Sequence, residues 1–110
     1  MSEKHLVLYV RGNFCPDVRR TREFLNQHAV PHIEIDAEQD QVAKQRVVGW
    51  TGYLSFPTLV VTADNSVEPM EPPLPLNPGQ SPRNVDRGTM LTEASLPVLE
   101  NFLKRNGFLN

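Results

Sequence analysis

"LVLYVRGNFCPDVRR" (residues 6–20) joins a predicted strand to a predicted helix through Cys15, the only cysteine of the chain. Its first five residues are an uninterrupted apolar run with β-branched and aromatic side chains, which is typical of a strand buried on both faces. From Pro16 onward the apolar residues recur at helical spacing. A proline fits the first turn of a helix because its missing N–H is not needed there. The stretch therefore predicts a strand, a sharp break and a helix that begins beside Cys15.

A second strand and a second helix are predicted next along the chain. The stretch "HIEID" (residues 32–36) alternates apolar and polar residues, which indicates a strand. The stretch "DQVAKQRVVGW" (residues 40–50) favours a short helix with Asp40 as its cap and with Gly49 or Gly52 at its end.

The third predicted strand has Pro57 as its first residue, a position at which a sheet tolerates proline. The order strand, helix, strand, helix, strand implies an α/β fold with a right-handed crossover between the first two strands. A last helix is predicted within residues 95–108, with Ser95 as its cap and Gly107 as its stop.

A proline-rich segment separates the third strand from the last helix. Residues 68–82 carry six of the ten prolines and are typical of an extended, partly polyproline-like loop. We therefore predict a single domain over residues 1–110, with a proline-rich loop insertion at about residues 68–90, which is called the proline-rich segment below.

The composition excludes several classes of protein. With 39% apolar residues, 22% charged residues and a net charge of -2, the chain is an ordinary globular protein with no dominant basic surface for nucleic acid. It has no apolar stretch long enough for a secretion signal or a membrane span. A single cysteine cannot form an intramolecular disulfide, so we expect a cytoplasmic protein.

Three features together resemble the glutaredoxin family of the thioredoxin fold. They are a strand that runs into Cys15-Pro16 with arginines after it, the strand "VPHIEID" (residues 30–36), and "FPT" (residues 56–58) at the start of the third strand. The Cys-Pro-Asp order is most similar to the mycoredoxin-type branch. In this family the proline matched by Pro57 is cis and faces the active cysteine.

The resemblance covers residues 6–67 well and a last helix at residues 91–108 less specifically, while the loop at 68–90 lies outside it. It implies a thioredoxin-like α/β fold with a central, mixed four-stranded sheet and about three flanking helices.

The sequence also departs from the family pattern. Val18 stands where a second cysteine would be, so the chain is a single-cysteine variant. No Gly-Gly pair follows Val61, although such a pair commonly receives the glutathione carboxylate in glutaredoxins. The Cys-Gly-Phe-Ser motif of iron–sulfur glutaredoxins is absent as well.

A cysteine at the start of a helix is placed to react. Helix N-termini and nearby cations lower the pKa of a cysteine from ~8.5 toward ~3.5–7.5, and the thiolate is the nucleophile. Arg11 and Arg19 are the candidate cations around Cys15. Asp17 interacts well with the helix dipole but opposes the thiolate by its like charge, so the sequence does not give the sign of its net effect. Burial as an inert apolar thiol is the alternative for Cys15.

The predicted site comprises Cys15 as the catalytic residue and two groups that bind the thiol or the partner. These are Arg11, Phe14, Pro16, Asp17 and Arg19 around the cysteine, and Phe56, Pro57 and Thr58 around the proline. The alternative for the second group is a plain loop and strand start, and for Phe14 it is a place in the core. No metal site is predicted, because the three histidines lack metal-ligand spacing.

These features predict a monothiol glutaredoxin-like thiol–disulfide oxidoreductase. We expect no bound cofactor, glutathione or another low-molecular-weight thiol as co-substrate, and a disulfide-bearing protein as partner. The alternative is a redox-inactive binding or adaptor module of the same fold that uses the proline-rich loop. A third, weaker reading is a dimer that shares an iron–sulfur cluster. We expect a monomer without nucleic-acid or membrane partners.

Overall fold

The computed structural model describes residues 4–12 and 15–110. Within them the chain forms four strands and three helices in the predicted α/β order. The elements are β1 (His5–Val10), α1 (Pro16–Gln27), β2 (Ile33–Asp36), α2 (Gln41–Thr51), β3 (Thr58–Thr62), β4 (Met90–Thr92) and α3 (Leu96–Arg105).

The strands form one mixed sheet in the order β2-β1-β3-β4, which confirms the predicted four-stranded sheet. β1 pairs with β2 in parallel and with β3 in antiparallel, and β4 pairs with β3 in antiparallel. In the β1–β3 register Tyr9 lies opposite Thr58. The end of β1, which leads to Cys15, therefore lies beside the start of β3, which follows Pro57.

Helices cover both faces of the sheet. Leu8 and Leu59 are partners in the β1–β3 register and point to the same face. Thr21 of α1 and Leu99 of α3 line one small gap with Leu59, so these two helices share that face. Tyr9 points the other way and packs edge-on against Trp50 of α2, with ring centroids 5.4 Å apart. The order of layers is therefore two helices, the sheet and one helix.

Local signals account for both ends of α2. The carboxylate of Asp40 accepts a hydrogen bond from the backbone N–H of Ala43 at 3.1 Å, which confirms the predicted cap. Gly52 ends the helix with φ +80°, and its N–H donates to the carbonyl of Val48 at 2.8 Å. Of the two glycines proposed as the stop, Gly52 is the correct one.

The predicted second strand and the Ser95 cap of the last helix are confirmed, whereas the start of that helix near residue 91 is wrong. Ile33 is 58% exposed, because β2 is the edge strand of the sheet and no further element covers this side chain. The last helix does not begin near residue 91: Leu91 lies in β4, where it is paired with Leu59, and α3 begins at Leu96. A pattern of apolar residues cannot reveal that a three-residue run completes a sheet.

The proline-rich segment is extended, and it is fastened to the rest of the fold. The Tyr9 hydroxyl donates to the carbonyl of Val67 at 2.5 Å, and burial raises the pKa of this tyrosine. Further on, the N–H of Met70 donates to the carbonyl of Val61 in β3 at 2.9 Å. Within the insertion, the N–H of Leu74 donates to the carbonyl of Arg87 at 3.0 Å. In the described part of the chain, no helix is long and apolar enough to cross a membrane.

Candidate functional site

Cys15 is the residue that directly precedes α1. Its backbone is extended (φ −77°, ψ 123°), and its thiol makes no capping hydrogen bond to the helix. The side chain is half-buried, so the sulfur is neither sealed in the core nor fully open to solvent. Pro16 and Asp17 form the first turn after it, as predicted. The unpaired N–H groups of this turn and the helix dipole favour a negative charge at the sulfur.

The loop before β3 faces the cysteine. The sulfur of Cys15 lies 4.0 Å from the carbonyl oxygen of Phe56, and the Phe56–Pro57 peptide bond is cis, as the resemblance implies. The carbonyl of Pro57 accepts a hydrogen bond from the N–H of Glu93 at 2.9 Å. The hydroxyl of Thr58 donates to the carbonyl of Ser55 at 2.9 Å. These contacts hold the loop in place beside the sulfur.

The structure brings the two predicted groups of site residues together, but with different roles. Phe56, Pro57 and Thr58 are all buried, so their side chains support the loop beside the sulfur. Pro16 and Arg19 are exposed on the other side of the sulfur. Phe14 lies outside the described residues.

The arginines around Cys15 have different partners. Arg11 donates from Nε to the carboxylate of Glu38, beyond the end of β2. Arg22 forms a two-pronged ion pair with Glu34, at 2.8 and 2.9 Å, which raises the pKa of the arginine. This pair fastens α1 to β2. Arg19, in contrast, forms no ion pair with the described residues, so its charge is available to an anionic partner.

Asp17 lies in a network of charges that its position in the sequence does not reveal. Its carboxylate is 2.6 Å from Nη2 of Arg20 and 3.3 Å from Nη1 of Arg83. Arg83 comes from the proline-rich segment and also pairs with Glu93, at 3.2 Å. Nearby cations therefore offset the negative charge that the sequence places next to Cys15. No motif marks Arg83, because its contacts depend on how the segment folds back.

A surface cleft of about 290 Å³ lies next to this network, at the start of α3. Its lining comprises Arg20, Arg83, Asn84, Glu93, Ser95 and Leu96.

The cleft offers hydrogen-bond donors to an anion. Nε of Arg20 is buried and has no hydrogen-bond partner among the described residues. Arg83 is 58% exposed along its side chain, so it is open to solvent. Glu93 is the acidic residue of the lining, and its backbone has φ +46°. Its N–H donates one hydrogen bond to the carbonyl of Pro57, and this bond links the cleft to the loop that faces Cys15.

In the described part of the chain, no three side chains of His, Cys, Asp or Glu are grouped to hold a metal ion. The site is therefore one half-buried thiol, a fixed backbone loop and a neighbouring cleft with two arginines. Such a site suits nucleophilic attack by sulfur on a substrate that carries a negative charge.

Comparison with known proteins gives one match. The family described as Glutaredoxin matches residues 6–65, which is more than half of the 110-residue chain. Among curated proteins no match is found. Among solved structures none is found either.

Val18 is fully buried one helical turn after Cys15, and we predict that Val18→Cys creates a two-thiol site. The two thiols would lie three residues apart at the start of α1, the spacing of a Cys-X-X-Cys motif. Oxidation with diamide should then leave no free thiol and should lower the intact mass by that of two hydrogen atoms. Val18→Ala, which shortens the same side chain without adding sulfur, should keep its one thiol. Two free thiols in the Val18→Cys variant after excess oxidant would contradict the placement of Cys15.

Proposed function

Because the chain belongs to the glutaredoxin family, we propose that it is a monothiol thiol–disulfide oxidoreductase that uses Cys15 to exchange mixed disulfides with a low-molecular-weight thiol. The family supports thiol–disulfide oxidoreductase chemistry in general. The observation that carries the more specific proposal is the half-buried sulfur of Cys15 at the start of α1, beside the carbonyl of Phe56. In this proposal the Cys-Pro-Asp order places the chain nearest the mycoredoxin-type branch.

The proposed reaction has two exchange steps. In the first, the Cys15 thiolate attacks the small-thiol sulfur of a mixed disulfide. The disulfide bond to the target protein breaks, a bond from Cys15 to the small thiol forms, and the target thiolate leaves and takes a proton from water.

In the second step another small-thiol molecule loses its proton to water and attacks the adduct on Cys15. The Cys15 thiolate leaves, and the small thiol departs as its own disulfide. The net reaction converts the mixed disulfide and one further small-thiol molecule into the free target thiol and the disulfide of the small thiol.

A single thiol is sufficient for this cycle. Val18, fully buried, supplies no resolving thiol, so external molecules must provide every other sulfur. A reducing compartment such as the cytoplasm is therefore part of the proposal, because the second step consumes reduced small thiol. No bound cofactor is required, and the protein acts as a monomer.

The cleft next to the site is the proposed position for a carboxylate of the small thiol. Arg83 and Arg20 face it with guanidinium groups, which match carboxylates in geometry and charge. Of the two, Arg83 is open to solvent, so it is the arginine that a bound carboxylate would contact. Glutathione, which carries two carboxylates, has the right chemistry for this position.

A second candidate function, partner binding, is favoured by the exposure of the proline-rich segment. A polyproline II helix has three residues per turn, so every third residue lies on the same side. In residues 70–78 every third side chain is half-buried against the body, and the two between are exposed. The half-buried ones are Met70, Pro73 and Leu76.

The exposed side of the segment includes Pro72, Pro75 and Leu74, whose side chain is 60% exposed. Grooves lined by aromatic residues recognise proline ridges of this kind. A redox-inactive adaptor that uses this ridge is thus the alternative to the enzyme.

The main proposal predicts turnover that depends on Cys15. With a peptide–glutathione mixed disulfide and excess reduced glutathione, the wild-type protein should release free peptide, and Cys15→Ser should not. Intact mass after treatment with oxidised glutathione should show one adduct on the wild type, removable by dithiothreitol. Absence of both turnover and adduct between pH 7 and 9 would overturn the proposal.

If a carboxylate of the small thiol binds in this cleft, Arg83→Gln should lower kcat/KM modestly. Because this arginine is largely exposed, its contact with a carboxylate is worth up to about 1 kcal/mol, or about fivefold in kcat/KM for the glutathione mixed disulfide. The loss should shrink at high salt, and Lys104→Gln, a similarly exposed cation on α3, should have no effect. Equal loss in both variants at all salt concentrations would reject this position.

The rate at which Cys15 is alkylated distinguishes the enzyme hypothesis from the adaptor hypothesis. If the start of α1 stabilises the thiolate, iodoacetamide at pH 7 should modify Cys15 in the folded protein several-fold faster than in the same protein unfolded in urea. An adaptor whose thiol has lost its activation should react no faster when folded. Asp17→Asn, which removes the nearest like charge, should raise the rate of the folded enzyme further.

A further inference from the structure

A second cavity, of about 230 Å³, lies toward the other end of the sheet from Cys15. Lys4, one of the residues that line it, directly precedes β1, whereas Cys15 follows the end of that strand. A strand of this length spans about 20 Å. The cavity is therefore separate from the cleft beside Cys15.

The feature that distinguishes this cavity is the buried guanidinium of Arg87, which is 7% exposed. Its Nε donates to the carbonyl of Leu74 at 2.7 Å and its Nη1 to the carbonyl of Trp50 at 2.8 Å. Both acceptors are neutral. Among the described residues no carboxylate pairs with Arg87, and its Nη2 makes no hydrogen bond.

A buried charge without a counter-charge is unfavourable. Consistent with this, burial lowers the pKa of Arg87. The two backbone carbonyls explain how the side chain is held, but they leave its charge uncompensated. An anion in the adjoining cavity would supply the missing partner.

One further residue of the lining adds to the positive charge. Lys4 forms no ion pair with the described residues, whereas the charge of Arg105 is offset by Asp86. Glu71 is the one carboxylate among the lining residues. Two cations without a carboxylate partner, Lys4 and Arg87, thus line the cavity together with one carboxylate, although the whole chain has a net charge of -2.

We propose that the cavity lined by Lys4, Arg87 and Arg105 is a binding site for a small oxyanion, a phosphate or carboxylate group. Guanidinium groups bind such oxyanions through paired N–H donors, and a lysine contributes a point charge. The proposal does not depend on the chemistry of Cys15.

The test uses inorganic phosphate with the full-length protein, followed by amide chemical shifts in NMR spectra. Phosphate should cause saturable shifts at Gly88, Thr89 and Asn106 with a dissociation constant in the millimolar range, while sodium chloride at equal ionic strength should not. Acetate in the same titration tells whether a carboxylate binds as well as a phosphate.

Substitutions at the rim of the cavity show where phosphate binds and leave the fold intact. Arg87→Met could unfold the segment that this arginine fastens, so the decisive variants are Lys4→Gln and Glu71→Gln, at the rim. Lys4→Gln should weaken phosphate binding about threefold, and Glu71→Gln should strengthen it by a similar factor. Arg83→Gln, in the other cleft, should change nothing.

Two outcomes would overturn the proposal. One is shifts that phosphate and chloride produce equally. The other is saturable shifts that centre on Ser95 and Leu96 and disappear in Arg83→Gln, because these would place the anion in the cleft beside Cys15.

Discussion

The antiparallel pairing of β1 with β3 is the constraint on which the site depends. With Tyr9 opposite Thr58, the chain that leaves β1 and the chain that enters β3 must lie next to one another. Cys15 follows the first strand and Phe56 precedes the second, so the sulfur and the carbonyl come within 4.0 Å although they are far apart in the sequence. A shift of this register by one residue would also turn the side chains of one strand to the opposite face relative to the other strand. The core thus fixes the site geometry.

The proline-rich segment contributes to this arrangement instead of merely connecting two elements. It supplies Arg83, which pairs with Asp17 on α1 and with Glu93 before α3. It also supplies Arg87, which reaches the carbonyl of Trp50 at the end of α2. Each arginine bridges elements that the sheet alone does not join. Extended backbone with many prolines has little conformational freedom to lose, which favours holding it with a few such contacts.

Local chemistry explains which parts of the fold could be predicted from the sequence. Pro16 and Asp40 act within one turn of their own helix, so their patterns sufficed to place the starts of α1 and α2, whereas the end of α2 was left between Gly49 and Gly52. The partners of Arg11 and Asp17, and the exposure of Ile33, depend on tertiary neighbours instead. The same limit applies to the site: the position of Cys15 was evident from the residues around it, whereas the cleft with Arg83 was not.

The balance of charge at the start of α1 shows why that limit matters for the chemistry. In its first turn Asp17 interacts favourably with the helix dipole, yet its charge disfavours a thiolate two residues away. Arg20, on the same helix, and Arg83, on the proline-rich segment, both contact this carboxylate and reduce its effect on the sulfur. In the proposed reaction the family motif thus provides the nucleophile, and a segment outside the matched region provides part of its electrostatic environment. The reactivity of Cys15 must in consequence respond to changes in the proline-rich segment, which local motif reading would treat as unrelated to it.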